Sequence, residues 1–278
     1  MVIEKLRLRQ IIGDFLKEDI GSGDITTQTV VSRDRKGTAR AVVKEDIVIA
    51  GIEVFGEVFH CMSGDMVCTY TIDDGELAAK GQVIAEIRGA LCHILTAERV
   101  ALNILQRMCG IAALTRRYVD AVEGTVATIL DTRKTTPGLR DLEKYAVTVG
   151  GGRNHRTGLS GGVLIKENHI TAAGGITTAV DRARHRVPVT VKIEVEVKNL
   201  EEVREAIATP CDIIMLDNMT TDEMRQAVSI IAGKVKVEAS GNVTLATVRE
   251  IAETGVDYIS VGALTHSAPA ADISLILS

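Results

Sequence analysis

The chain has 278 residues, 46% of them hydrophobic, and carries 32 Lys+Arg against 37 Asp+Glu for a formal net charge of -5. That length suits one large α/β domain or one with a smaller companion, and the acidic balance argues against a nucleic-acid partner, because backbone readers present a broad basic face. Five cysteines, Cys61, Cys68, Cys92, Cys109 and Cys211, without CxxC spacing, argue against disulfide and zinc frameworks, and no leader or apolar run near the roughly 20 residues of a spanning helix is visible; the expectation is a soluble cytoplasmic protein without a membrane partner.

Hydrophobic spacing predicts a helix over 2–17, a strand over 38–43, a helix over 52–61 and strands over 66–72 and 83–87, together an α+β sandwich domain over 1–108. Within it, Asp74 to Gly89, DGELAAKGQVIAEIRG, has the turn-strand-turn pattern of a biotinyl or lipoyl carrier hairpin, with Lys80 in its AAKGQ turn. A structural sandwich is the reading preferred over a carrier module, since that turn makes sense without modification and fold analogy does not establish function. A long helical stretch over 91–122, interrupted by Gly110, follows and contains TAER, Thr96 to Arg99, in which Arg99 by itself reads as a surface cation.

The second half alternates β-branched runs at 126–130, 163–165, 189–195, 213–216, 235–238 and 258–261 with helical stretches at 139–149, 200–208, 221–232 and 245–253. Roughly six or seven such units suit a partial (β/α) barrel over 109–264, whose tail, 265–278, could pack back on the first domain. An open doubly wound sheet is the alternative, but the GxGxxG fingerprint is absent. Polar residues cluster after the predicted strands: Asp131 to Lys134, Lys166, Glu194 with Glu196, Asp217, Ser240 with Gly241, and Gly262. In barrels the carboxyl ends of strands carry the active site, so independent segments point chemistry at one rim. Between Asp131 and Ile170 the cations Arg133, Lys134, Arg153, His155, Arg156 and Lys166 gather around glycine turns, equipment for a small polyanion.

The segments DTRKTTPGLR, GGGRNHRTGL, VLIKENHI, KIEVEV, IIMLDN, EASGN and SVGALTHS, in this order, with EDIGSGDITT near the amino terminus, resemble the quinolinate phosphoribosyltransferases. That resemblance implies a type II phosphoribosyltransferase: an amino-terminal sandwich, a partial barrel, and a homodimer or assembly of dimers with active sites at the subunit interface. The implied reaction transfers phosphoribosyl from 5-phosphoribosyl 1-diphosphate to quinolinate, releasing diphosphate and carbon dioxide and giving nicotinate mononucleotide for NAD biosynthesis. Carried over by motif, Arg133, His155 and Arg156 look like the quinolinate clamp, with Arg99 entering from the neighbouring subunit, and Thr132 is implied as a further substrate-binding residue. Lys134 and Lys166 lie between quinolinate and diphosphate, and Glu196 and Asp217 face the ribose hydroxyls and a magnesium diphosphate, binding the metal directly or through water. These four are the implied catalytic residues. Ser240, Gly241, Asn242, Gly262 and Ala263 form phosphate-cradling turns to which His266 adds a donor. Glu194 and Glu196 alternate onto the same strand face, so their roles could overlap. The family often has aspartate before VLIK, where this chain has Gly161 and Gly162, so that carboxylate's hydrogen bond is missing or replaced. Rival readings are a molybdenum-associated pyrophosphorylase-like homologue and the carrier module.

Overall fold

Leu8, Ile12 and Leu16, four residues apart, form the buried stripe of α1 (Lys5–Ile20). The computed structural model describes residues 4–277, so the first two positions of the helix expected over 2–17 lie outside the described residues. A short helix that the periodicity missed, α2 (Ile25–Val30), is capped by Asp24, whose carboxylate accepts from Thr27 N. Two compact units follow from the packing: one takes the chain through Leu114, Thr136–Gly151 and the segment from Ser267; the other takes Thr115–Thr135 and Gly152–His266.

In the first unit, β1 (Lys36–Val43) lies between β5 (Val83–Ala90) and β12 (Ile273–Leu277), and β3 (Val67–Tyr70) pairs with the other edge of β5, all antiparallel. The tail thus supplies an edge strand to the amino-terminal sheet. A second ribbon pairs β2 (Ile47–Val48) with β4 (Leu77–Ala78). The carrier-like segment is part of this architecture: the Asp74 carboxylate accepts from Gly51 N (2.9 Å), Ile52 N (3.0 Å) and Tyr145 Oη (2.7 Å), capping α3 (Ile52–Met62) from a distant position.

Gly110 does not interrupt α4 (Leu91–Ala121), which is continuous. The reason for glycine there is tertiary. Gln106 Nε2 donates to Ile273 O, Arg107 Nη1 donates to Ala268 O, and the returning tail runs so close that a Cβ on Gly110 would sit 1.8 Å from the Pro269 carbonyl oxygen. The same Arg107 pairs with the buried Glu143 of α5 (Arg140–Val149), and α5 belongs to this unit, not to the barrel as its place between two predicted strands suggested.

The second unit is a six-stranded parallel sheet in the order β6-β11-β10-β9-β8-β7. Its strands are β6 (Thr128–Leu130), β7 (Val163–Ile165), β8 (Ile193–Val197), β9 (Ile213–Asp217), β10 (Lys236–Ser240) and β11 (Tyr258–Ser260). Helices α6 (Glu167–Ala173), α7 (Ile176–Arg186), α8 (Leu200–Ile207), α9 (Thr221–Ile231) and α10 (Val248–Ala252) link them, with α11 (Ala263–His266) after β11. This is the expected partial barrel. The strand expected over 189–195 starts later, because Val189 is exposed in the turn after Pro188 and pairing begins at Ile193.

In-register pairing puts Leu164, Glu194, Glu196, Met215, Asp217, Glu238, Ser240 and Ser260 on one face of this sheet. The alternate residues, among them Val195, Ile214, Leu216, Val237, Ala239 and Ile259, are buried on the other face. At Gly110 two effects oppose: alanine in a helix interior gains about 1 kcal/mol over glycine, but overpacking costs about 1–3 kcal/mol. With a backbone oxygen at 1.8 Å the clash wins. Gly110→Ala is expected to lower the thermal midpoint, and a raised midpoint in a melting curve would show that the tail does not cross the helix there.

Candidate active site

The polar face of the parallel sheet, with the loops beyond its carboxyl ends, encloses a cavity of about 760 Å³. Its wall includes Thr132, Arg133, Lys134, His155, Arg156, Lys166, Glu196, Asp217, Ser240, Gly241, Asn242, Gly262, Ala263 and His266. Every site residue expected from the sequence except Arg99 therefore meets in one place. Arg99 is exposed on α4 in the first unit and is not part of this lining. Asn218, Ser260, Met215 and Leu164 also line the cavity. The sequence reading missed them, although strand alternation places Leu164, Met215 and Ser260 on the same face as Glu196.

Local bonds fix the cations. Lys166 Nζ is ion-paired to Glu196 Oε2, and Lys166 N donates to His169 Nδ1 (3.0 Å), so His169 caps the start of α6 and holds Lys166 in place. Lys134 N donates to Thr132 Oγ1 (3.0 Å), while Lys134 O accepts from Thr265 Oγ1 (2.9 Å), tying the loop after β6 to α11. Arg156 Nη1 donates to Gly162 O (3.0 Å), so a backbone carbonyl supplies an acceptor in the segment where the family often has aspartate. Burial and then the neighbouring Arg133 guanidinium lower the Arg156 pKa from its ordinary value, with Glu194 acting in opposition. Two guanidiniums held near each other against their repulsion favour a ligand with paired negative groups.

Two glycines of the lining sit close to neighbouring side chains. A Cβ on Gly262 would lie 3.1 Å from Lys134 Cδ and 3.2 Å from the His266 ring. Gly241 has φ 100, and a Cβ there would overlap the Asn218 carboxamide. Glu196 and Asp217 offer carboxylate oxygens in the same lining, a donor set that suits a hydrated hard cation such as magnesium.

Carboxyl-rim cations, facing carboxylates and close-approach glycine turns define a barrel-type enzyme site for a small ligand of several negative charges. Residues 24–109 match the family model for the N-terminal domain of quinolinate phosphoribosyl transferase, and residues 111–276 match that for its C-terminal domain. The chain belongs to the quinolinate phosphoribosyl transferase family. It is 48% identical over 264 residues to a probable nicotinate-nucleotide pyrophosphorylase (carboxylating) of Synechocystis sp., covering 94% of this chain and 89% of the relative. With a protein of the same description from Bacillus subtilis it shares 43% identity over 270 residues, covering 97% and 93%. The crystal structure of NadC from Streptococcus pyogenes superposes with a TM-score of 0.96 at 39% identity, covering 100% of this chain and 99% of that one.

In the cavity wall, His155 accepts from Arg156 N at Nδ1 (2.7 Å), so its proton sits on Nε2, facing Glu194 Oε2 at 3.0 Å and Glu238 Oε2 at 3.7 Å. His155 N donates to the buried Asp131 carboxylate (2.9 Å). His155, Glu194 and Glu238 offer potential metal ligand atoms within 4.8 Å of one another. Burial, then the Glu194 charge, push the Glu238 carboxyl well above the ordinary glutamate value of 4.5, while Ser260 Oγ donates to its Oε1. Glu194 Oε1 has no hydrogen-bond partner among the described residues. A carboxyl raised on folding stabilises the fold fully below 4.5, and that contribution is lost as pH rises through its elevated folded value. Glu238→Gln keeps an acceptor for Ser260 and adds a donor toward Glu194, so its melting midpoint should exceed that of the wild type at pH 8, with the gap closing toward pH 4.5. A gap independent of pH would mean that Glu238 is ionised in the fold.

Proposed function

We propose that this chain transfers the phosphoribosyl group of 5-phosphoribosyl 1-diphosphate to the ring nitrogen of quinolinate, with loss of the adjacent ring carboxylate as carbon dioxide. The products are nicotinate mononucleotide and diphosphate, a step of NAD biosynthesis. The observation that carries the reading is the convergence, in one cavity, of two arginine forks, two lysines, a carboxylate pair and two tight glycine turns.

Each part has a task in that reaction. Arg133, His155 and Arg156 hold the two adjacent carboxylates of quinolinate, and the His155 ring also accepts from Arg156 N. Lys134 and Lys166 lie between acceptor and donor, where a positive charge offsets the repulsion between two polyanions. Glu196 and Asp217 orient the ribose hydroxyls, and the Ser240-Gly241-Asn242 and Gly262-Ala263 turns receive phosphate on backbone amides and the His266 side chain. A magnesium ion on Glu196 and Asp217, direct or through water, would offset the charge of the leaving diphosphate.

Bond breaking at the anomeric carbon develops oxocarbenium character, so the site acts through charge placement and needs no covalent nucleophile. Once the ring nitrogen is alkylated and positive, it stabilises the carbanion left when the bond from ring carbon 2 to the carboxylate breaks and carbon dioxide departs, and that carbon then takes a proton from solvent water. Arg133 and Lys166 act electrostatically, and no residue is assigned as a general base. Arg99 of a second copy completes the quinolinate site, since within this chain it is exposed and absent from the cavity lining. The active form is then a homodimer or an assembly of dimers, working in the cytoplasm. Among the described residues no helix is long and apolar enough to cross a membrane.

Purified protein with magnesium and the donor should convert quinolinate, and not nicotinate, to nicotinate mononucleotide by mass; product from nicotinate alone would overturn the dicarboxylate clamp. Arg133→Ala should weaken quinolinate binding by about 1.5–3 kcal/mol, the loss of a charge-assisted hydrogen bond, in a calorimetric titration. Arg99→Ala and Lys166→Ala, each of low activity alone, should recover part of the wild-type rate when mixed under conditions of subunit exchange. Absence of recovery, with exchange verified, would place Arg99 outside the partner's site.

A further inference from the structure

The two strand ends that carry the donor side of the cavity share an unusual backbone. Among the described residues, the non-glycine positions at positive φ are Asn218 (φ 55), Ala232 (φ 49) and Asn242 (φ 50). Two of the three line the cavity, just after β9 and β10, and Gly241, the residue before Asn242, has φ 100. Left-handed backbone costs an L residue about 1–2 kcal/mol, and asparagine bears it with least difficulty. Ala232 is a helix end, where such geometry is ordinary. The asparagine pair has no such explanation.

Their side chains supply one. Asn218 Nδ2 donates to Asp217 Oδ1 (3.0 Å), while Asn218 Oδ1 accepts from Asn242 Nδ2 (3.0 Å), and Asn218 N donates to Ser240 O (2.9 Å). The order of donors is forced, because the Asp217 carboxylate can only accept, so the amide nitrogen of Asn218 must face it and the amide oxygen must face Asn242. The carboxamide also fills the space beside Gly241, where a Cβ would lie 2.2 Å from Asn218 Oδ1 and 2.4 Å from Cγ.

We propose that Asn218 is a positioning residue for the phosphoribosyl donor: its carboxamide is a clasp that fixes the Asp217 carboxylate against the Ser240-Gly241-Asn242 turn. The proposal rests on the transferase reading above, in which Asp217 faces the ribose and that turn holds phosphate. Donor affinity then depends on one neutral amide that need not touch the donor. The acceptor side, built on Arg133 and Arg156, does not depend on it.

The test uses the full-length enzyme with Asn218→Gly, which retains left-handed backbone and adds no charge, and Asn242→Gly, which breaks the other end of the clasp. Each should raise KM for 5-phosphoribosyl 1-diphosphate about tenfold, the scale of one lost hydrogen bond to a charged group, and leave calorimetric quinolinate affinity within about twofold of wild type. The double variant should be little worse than either single one, because both remove the same link. Asn218→Asp, which sets a second carboxylate against Asp217, should be worse than Asn218→Gly. An unchanged donor KM in Asn218→Gly, or equal weakening of both substrates, overturns the clasp, and so does full additivity of the two glycine variants. Should Asn218→Gly fail to fold, Asn218→Ala, which likewise removes both side-chain hydrogen bonds, makes the same comparison. If the wild-type protein turns over neither substrate, the transferase reading fails instead, so the two failures are distinct.

Discussion

Three glutamates, Glu194, Glu196 and Glu238, project from one face of the parallel sheet and are nearly enclosed by protein, at 4, 9 and 1% exposure. A carboxylate removed from water without a partner costs several kcal/mol, so each must be offset locally. Lys166 offsets Glu196, the Nε2 proton of His155 offsets Glu194, and Glu238 is favoured in its protonated form beside Ser260. The placement of the site follows from this. Once His155 is fixed, its ring and Gly162 O fix Arg156, and His169 fixes the backbone from which Lys166 reaches Glu196.

The two ends of the sheet divide the work. At the amino ends, Asp212 accepts from Ile193 N and pairs with Arg184 and Lys192, while Asp257 accepts from Val237 N and pairs with Lys236. These contacts join neighbouring strands and carry no chemistry, as expected for the stability end of a β/α sheet. At the carboxyl ends the charges face the cavity. Between β6 and β7 the chain leaves this unit at Thr136 and returns after Gly151, and the cations of the clamp flank that excursion, Arg133 and Lys134 before it and His155 and Arg156 after it.

Much of this was legible in the residues. The alternation in Ile193–Val197, IEVEV, predicts two glutamates on one strand face, and polar residues that follow the predicted strands line one cavity. Where the sequence reading erred, the deciding contact was remote. Gly110 reads as a helix breaker, yet its role is to admit the Pro269 carbonyl. The 139–149 helix reads as a barrel crossover, yet it belongs to the first unit, where its Glu143 pairs with Arg107. Val189 and Val191 read as strand, but the strand starts where a neighbour becomes available to pair.

Local spacing therefore determined the elements, the rim and the identity of the charged groups, because period-two and period-four patterns are properties of the backbone that any segment carries with it. Only the tertiary structure decided what each buried carboxyl meets. Glu238 and Glu196 are the same residue type at similar strand positions, but Glu196 meets a lysine and Glu238 meets Glu194. The protonation of a buried carboxyl depends on what lies within a few ångströms of it, and those neighbours come from distant parts of the chain. The same holds for Asn218, whose strained backbone and two hydrogen bonds depend on a turn 24 residues away.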